Sequence, residues 1–302
     1  MSLYSVAEHV FELTRENSER PIVAGTNYQP FKVEEPCGGV LFRVVLDRIV
    51  MPRLDKPSVV FDYDLQEGNC TMCIYPEEYR LTLRSGGCEA TIVCPRERAT
   101  SQSEPTYTFY TDMFTEGKRP NSVIFDHSLV FAYSFATLSY DTLLIHSSVI
   151  VKDGGAVMCL GESGTGKSTH TRLWLENIEG TARLNDDGPV VRVVDGDVRV
   201  YGSPWSGKGC VWKQESYPLA ACLRLRQAPH NTITRLSKLS AFGALLPSTL
   251  PTMQKEERAL DNICDALSKI VATKPIFMLD CLPDAAAARL SYETIFAAAG
   301  YR

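Results

Sequence analysis

A glycine-rich stretch of nine residues, between an apolar run and a segment with helical character, restricts the folds open to this chain more than any other feature. The run before it, AVMCLG, predicts a buried strand, and KSTHTRLWLENI after it predicts a helix. The residues of the stretch are Gly161, Glu162, Ser163, Gly164, Thr165, Gly166, Lys167, Ser168 and Thr169. They fit the pattern GxxxxGK[ST], in which glycine dihedrals let successive backbone N–H groups face phosphate oxygens. The stretch therefore predicts a strand, loop and helix that bind a nucleotide or polyphosphate, with a plain tight turn as the alternative.

Three of its features predict the phosphate contacts. Lys167 is expected to reach the β- and γ-phosphates, and the Ser168 hydroxyl is expected to ligate Mg²⁺. The dipole of the following helix adds positive potential at the same place. ATP and Mg²⁺ are accordingly the expected nucleotide and metal.

Two adjacent acids, Asp186 and Asp187, end the strand-like run ARLNDD, directly before Gly188 and Pro189. Consecutive side chains of a strand face opposite ways, so one carboxylate can hold Mg²⁺ while the other faces an acceptor hydroxyl. These residues alone do not decide which acid takes which role. A solvated turn is the alternative interpretation.

The segment Gly202 to Lys208 follows a predicted hairpin and contains two glycines, a proline, an indole and an ammonium. Such a segment could close over a nucleotide, with Trp205 offering a flat face and Lys208 a charge for phosphate oxygens. A purely structural turn is the competing interpretation.

The order of these motifs resembles the HPr serine kinase/phosphorylase family, which shares a fold with ATP-dependent phosphoenolpyruvate carboxykinase. The similarity covers about Asp141 to Thr234 well, including His146 in the strand LLIHSSVIV and the two acids, and it covers the rest of the C-terminal half loosely. It implies that Asp186 is the base that accepts the acceptor's proton, with His146 beside it, and that Asp187 is a metal-side carboxylate. It also implies a homo-oligomer and a serine acceptor in a protein, a peptide or the free amino acid.

Two departures from that family leave other functions open. The glycine-rich segment associated with phosphorylase activity is missing, and the N-terminal region does not resemble that of the bifunctional enzymes, so neither dephosphorylation nor HPr as the substrate is implied. The arginine and metal-ligand set of the carboxykinases is missing as well. A phosphotransferase acting on a hydroxyl is therefore the leading hypothesis. A nucleotide sensor or peptide-binding module without catalysis is the alternative, and a carboxykinase-like enzyme is a minor one.

The remaining pattern predicts an α/β fold in two parts. Residues 1–120 are expected to form a mostly antiparallel β region that selects the acceptor or supports assembly, because short β-branched runs alternate there with turn signals. Residues 121–302 are expected to form a mixed-sheet domain that contains the glycine-rich stretch. A helix over residues 121–140 and Asp-Gly hairpin turns at 153–154 and 195–196 are predicted as well.

Composition excludes several partners. The net charge of −5 offers no basic surplus for a nucleic-acid backbone, so no nucleic acid is expected. The longest apolar stretch, Ser128 to Leu144, is interrupted by polar residues, so no membrane span is predicted. The N-terminus lacks the pattern of a secretory signal, so we expect a cytoplasmic protein with its ten cysteines reduced.

Overall fold

The computed structural model describes residues 1–17, 22, 24–36, 38–65, 67–96, 105–207 and 209–299. The chain divides into two compact units, Met1–Thr137 and Leu138–Arg302. The change in sequence pattern at residues 120 and 121 predicts a boundary before the helix Ser122–Thr137, whereas this division falls after that helix. The helix is therefore part of the first unit.

The first unit is built on one sheet. Its strands are β1 (Ser2–Val6), β2 (His9–Thr14), β3 (Lys32–Val33), β4 (Phe42–Val45), β5 (Val59–Leu65), β6 (Gly68–Ile74), β7 (Glu78–Ser85), β8 (Cys88–Pro95) and β9 (Tyr107–Thr111). Within the described residues they lie in the order β3-β1-β2-β4-β9-β8-β7-β6-β5. β4 runs parallel to β2 and to β9, and the other neighbours are antiparallel. This sheet confirms the predicted β-rich character of the region.

Helix α1 (Ser122–Thr137) covers this sheet and contacts β4, β7 and β8. Aromatic side chains fill the space between helix and sheet. Phe42 stacks on Phe11 with ring centroids 5.0 Å apart, and Tyr133 of α1 meets both rings edge-on. Such pairs add to the large apolar area that the rings bury.

The second unit combines a second sheet with four helices among the residues described. Its elements are β10 (Thr142–Leu144), β11 (Ser147–Lys152), β12 (Gly155–Leu160), α2 (Lys167–Asn177), β13 (Ala182–Asp187), β14 (Val190–Val194), β15 (Asp197–Tyr201), β16 (Ser216–Gln227), β17 (Thr232–Arg235), α3 (Lys238–Leu245), α4 (Glu257–Thr273), β18 (Ile276–Cys281) and α5 (Ala285–Ala299). The main order is β10-β14-β15-β16-β12-β11-β13, and β18 pairs with both β16 and β17. Parallel and antiparallel neighbours mix here, as predicted for an α/β fold.

Helices α2 and α5 pack on the apolar face of this second sheet. Trp174 of α2 and Ile178, the residue directly after that helix, join Phe296 of α5 in one buried cluster with Val157 of β12 and Leu223 of β16. Trp174 is fully buried, so it holds α2 against the strands of this sheet. The core therefore holds the start of α2 close to the strand ends.

Several predicted elements are confirmed. The hairpins β11–β12 and β14–β15 turn at Asp153-Gly154 and Asp195-Gly196, and all four of these residues have positive φ. A two-residue turn of this kind requires positive φ at both positions, which is why Asp-Gly predicts it.

All described cysteines are free thiols. None of the described helices is long and apolar enough to cross a membrane.

Candidate active site

The site lies at one edge of the second sheet. β12 and β16 are parallel, and β11 pairs antiparallel with β12 and with β13. The carboxyl ends of β12, β13 and β16 therefore lie at the same edge as the amino end of β11. This topology brings together motifs that are far apart in the sequence.

The glycine-rich loop connects Leu160 of β12 to α2. Gly161 has φ 153°, and a Cβ there would lie 2.4 Å from Thr165 Oγ1, so a larger side chain cannot be accommodated without movement. Thr165 Oγ1 donates to Glu162 O at 2.8 Å, and Gln227 Nε2 donates to Gly164 O at 3.2 Å. The loop thus has internal bonds and an anchor on the neighbouring strand β16.

Lys167, the first residue of α2, turns back over this loop. Its Nζ donates to Gly161 O at 2.8 Å and to Glu162 O at 3.1 Å. Burial lowers the pKa of the ammonium below its ordinary value, Asp187 and Asp186 oppose that change, and Arg224 adds to it. Both acids and Arg224 of β16 therefore lie within electrostatic reach of the lysine.

Asp186 is bound from the side of the helix start. Its side chain is 10% exposed, and Ser168 Oγ donates to its Oδ1 at 3.2 Å. Its other oxygen, Oδ2, lies 3.9 Å from Arg183 Nη1. A hydroxyl and a carboxylate in contact provide two oxygen ligands of the type that Mg²⁺ prefers.

Asp187 is bound by the histidine. Its Oδ1 lies 3.0 Å from His146 Nδ1, and the two side chains are 44% and 40% exposed. The His146 N–H donates to Ser248 O at 2.7 Å, which holds the residue just before β11. Asp187 has φ 143°, an uncommon conformation for a residue with a Cβ and one that is typical of functional sites.

These contacts reverse the predicted pairing. The resemblance placed His146 beside Asp186 and gave the metal-side position to Asp187, but His146 contacts Asp187, and Ser168 contacts Asp186. The reason is strand alternation: the Asp186 side chain lies on the face of the sheet that α2 covers, where its strand partner Ser148 bonds Thr171 of α2. The carboxylate that follows it is directed away from that face.

The segment that begins at Gly202 lies along the end of β13. Ser206 forms an isolated bridge with Asp187, and the Gly207 N–H donates to the carbonyl oxygen of Asp186. Trp205 is 6% exposed, so its ring is buried and does not present an open face. Lys208 lies outside the described residues. The predicted nucleotide contacts of both residues stay predictions.

Sequence reasoning missed the buried residues that support this site. Asn185 Nδ2 donates to Ser203 O and to Trp205 O, each at 3.3 Å, and its Oδ1 accepts from the Gly188 N–H at 3.0 Å. Ser203 Oγ in turn donates to Gly188 O at 2.5 Å. The one sequence signal for Asn185 was its place in the strand-like run ARLNDD, where a polar residue directly precedes the two acids.

Arg183 and Arg224 were missed as well, because single arginines in strand-like sequence carry no spacing signal. Arg183 contacts Asp186. Arg224 Nη1 donates to Ala244 O at 2.8 Å, and the charge of Arg224 lowers the pKa of Lys167. The site thus contains three cations among its described residues.

Comparison with known proteins adds little to this geometry. No protein-family model matches the chain, and no curated protein matches it. Among solved structures, the chain is similar to the HPr(Ser) kinase/phosphatase from Coxiella burnetii, at 12% sequence identity and a TM-score of 0.31. The match covers 52% of this chain and 93% of that one. At that score the likeness is weak, so the function must be inferred from the site itself.

Proposed function

We propose that this chain is an ATP- and Mg²⁺-dependent phosphotransferase with an alcohol group as acceptor. One observation supports it best: two consecutive carboxylates have different partners beside the same lysine. Asp186 contacts Ser168 at the start of α2, and Asp187 contacts His146. Separate environments for two adjacent carboxylates suit a division into a metal-side ligand and a base.

Mg²⁺ fits the residues present. Ser168 Oγ and Asp186 Oδ1, 3.2 Å apart, are oxygen ligands of the kind that this ion prefers. No group of three or more His, Cys, Asp or Glu among the described residues could hold a metal on its own. Mg²⁺ commonly binds one or two protein ligands and completes its shell from phosphates and water. When bound, the ion would neutralise charge on the phosphoryl group.

Each protein group then has a distinct task. The loop N–H groups and Lys167 bind and orient the phosphates of ATP. Asp187 accepts the proton of the acceptor hydroxyl, and His146 keeps that carboxylate in position. The acceptor oxygen forms a bond to the γ-phosphorus as the bond from that phosphorus to the β,γ-bridging oxygen breaks. ADP leaves with that electron pair, and the proton on Asp187 passes to water.

The finer assignment is an HPr kinase-like enzyme that acts on a serine of a protein, a peptide or the free amino acid. It rests on the motif order from His146 through the loop and the acids to Gly202. A cytoplasmic location and a homo-oligomer belong to the same proposal. The first unit would select the acceptor or support assembly.

The test measures transfer from γ-labelled ATP to a panel of hydroxyl acceptors, together with ATP affinity. For Asp187→Asn we expect kcat to fall about 100- to 10,000-fold, the usual contribution of a general base, with ATP affinity retained. The matched control is Asp195→Asn, since Asp195 also has positive φ but lies in the β14–β15 hairpin. That control should transfer like the wild type.

Two results would contradict the proposal. Full transfer by Asp187→Asn would contradict the assignment of Asp187 as the general base. Tight ATP binding by the wild type without transfer to any acceptor of a broad panel would favour the nucleotide sensor instead.

A further inference from the structure

One row of paired residues crosses the second sheet at the edge that holds the site. Leu160 of β12 pairs with Arg224 of β16, and Ser147 of β11 pairs with Asp187 of β13. The antiparallel register of β11 and β12, continued by one residue, places Ser147 opposite Leu160. Paired residues on neighbouring strands point to the same face of a sheet. Arg224 and Asp187 therefore lie at the two ends of one row and on one face.

That face is the one opposite α2. Leu223 and Leu225, on either side of Arg224 in β16, belong to the cluster that packs against α2 and α5. Because side chains alternate along a strand, Arg224 is directed to the other face. The same face holds Asp187 with its partner His146. The guanidinium is thus on the side of the sheet where the proposed base lies.

A short helical segment contacts both Arg224 and His146. Ala244 O of α3 accepts from Arg224 Nη1 at 2.8 Å, and Ser248 O accepts from the His146 N–H at 2.7 Å. Ser248 ends the 3₁₀ turn that directly follows α3. Four residues of such a segment span about 6 to 8 Å. The same segment therefore holds the guanidinium and the histidine residue beside one face of the sheet.

Two donors of Arg224 remain for a ligand. The residue is half-buried, and Nη1 has Ala244 O as its partner. Among the described residues, Nε and Nη2 have no hydrogen-bond partner, and neither belongs to the fully buried nitrogens without a partner. A guanidinium stays protonated and binds phosphate oxygens through paired N–H groups. Arg224 thus offers a fixed charge with unused donors.

Lys167 lies over the inner part of the row. Leu160, an inner residue of the row, leads into the loop, and Gly161 O accepts from Lys167 Nζ at 2.8 Å. Burial is the main cause that lowers the pKa of this ammonium, Asp187 raises that pKa, and Arg224 lowers it. Both ends of the row are therefore within electrostatic reach of the lysine that the motif assigns to the β- and γ-phosphates.

The distance between the ends of the row suits a transferring phosphoryl group. Neighbouring strands lie about 4.8 Å apart, so three spacings separate the backbones of Arg224 and Asp187 by about 14 Å. A phosphoryl group and an acceptor oxygen fit between a long guanidinium side chain and a carboxylate at that separation.

From this row we infer that Arg224 is a further catalytic residue, whose Nε and Nη2 bind an oxygen of the γ-phosphoryl group of ATP. The inference rests on the proposed function and adds one residue to it. During transfer, negative charge is spread over the three equatorial oxygens of that group. Lys167 and the loop stabilise part of this charge, and Arg224 stabilises it from the end opposite the base. Its bond to Ala244 O holds the guanidinium in place before the charge develops.

The experiment measures nucleotide affinity and transfer for the wild type, Arg224→Gln and Arg224→Lys. The ligands are ATP, ADP, and ADP with aluminium fluoride, which mimics the transferring group and is bound more tightly than the substrate. For Arg224→Gln we expect kcat to fall about 100- to 1,000-fold, the usual effect of removing one such donor, with ADP affinity retained. Binding of the aluminium fluoride complex should weaken by a similar factor. Arg224→Lys should keep part of both, because it retains the charge but not the paired donors.

The matched control is Arg226→Gln. Arg226 lies two residues further along the same strand and on the same face, but its guanidinium pairs with Asp280 of β18. This control should bind all three ligands and transfer like the wild type. Urea unfolding of every variant identifies any loss of stability.

Equal binding of the aluminium fluoride complex by the wild type and Arg224→Gln would overturn the inference. An equal loss of affinity for all three ligands in both Arg224 variants would overturn it too, because a purely structural role of the bond to Ala244 acts on every ligand alike. A wild type that fails to bind ATP, or that binds it without transfer to any acceptor, would instead contradict the proposed function.

Discussion

Among single side chains, buried His170 makes the clearest prediction about stability. It follows Thr169 in α2, and its Nε2 accepts a hydrogen bond from Trp174 Nε1 at 3.1 Å, with Ser291 Oγ of α5 at the same distance. Burial lowers the pKa of this imidazole to about 4. Protonation would turn an acceptor that faces an indole N–H into a donor, so the neutral form holds α2 against α5.

The sign of the pH dependence follows from that pKa. The unfolded chain binds a proton at His170 below about pH 6.5, and the folded chain does so only near pH 4. The stabilisation that the neutral His170 provides is therefore complete above pH 6.5 and is lost as the pH falls towards 4. This loss lowers the free energy of unfolding by about 3 kcal/mol. Urea unfolding followed by tryptophan fluorescence measures it, since all three tryptophans, Trp174, Trp205 and Trp212, lie in the second unit.

The variant His170→Gln supplies the comparison. Its side chain does not titrate, so between pH 7 and pH 4.5 it should lose less stability than the wild type. The exposed His230 is the control position, and His230→Gln should keep the wild-type acid sensitivity. Equal acid sensitivity of His170→Gln and the wild type would contradict the assignment.

At the level of strands and turns, a buried network joins the end of β13 to the segment that follows β15. Asn185 is fully buried and bonds the backbone of Ser203, Trp205 and Gly188. These bonds fix the backbone on both sides of the two acids. Asn185 is thus a positioning residue whose effect on the site passes through Asp186 and Asp187.

Asn185→Ala is expected to destabilise the second unit by about 2 kcal/mol, because it leaves buried backbone groups without partners. It should also reduce phosphotransfer by moving the carboxylates. Urea unfolding and kcat measure the two effects. Asn262→Ala is the control: Asn262 bonds Arg258 O on the exposed side of α4, and its loss should cost under about 0.5 kcal/mol. Unchanged stability and kcat in Asn185→Ala would contradict this role.

Sequence predicted the elements whose signals are local. Asp-Gly turns, the apolar strand before the loop and the helix from Lys167 all depend on neighbouring residues, and all are present. The β1–β2 turn was not predicted because Ala7 and Glu8 adopt positive φ without a glycine or asparagine. Local pattern gives no such information.

The site divides in the same way. The loop residues follow from their own spacing, but the partners of Asp186 and Asp187 do not. Which neighbour each acid contacts follows from the alternation of side chains along β13 and from the pairing of that strand with β11, whereas a bulge in β13 at Leu184 determines where Arg183 lies. The contact of Arg183 with Asp186 depends on that bulge, so it could not be predicted from the sequence.

Considered as a whole, the chain keeps the loop, the two acids and His146 inside Leu138–Arg302, with Met1–Thr137 as a unit with its own aromatic core. A ligand that binds only the folded state stabilises the unit that holds its site, by about 2.7 kcal/mol at a concentration of 100 times Kd. Binding of ATP should therefore stabilise the two units unequally. This expectation does not depend on the identity of the proposed acceptor.

Hydrogen exchange measured by mass spectrometry tests that expectation directly. With saturating ATP and Mg²⁺, amides of residues 161–171 and 183–188 should exchange more slowly, and α2 and β12 should gain up to about 100-fold protection, because their exchange requires opening of the stabilised unit. Peptides from residues 1–17 and 67–96 should exchange at their original rates. Lys167→Ala, which lacks the predicted phosphate contact, should show no such protection. Equal protection of both units would mean that ATP binds elsewhere or that the two units unfold as one.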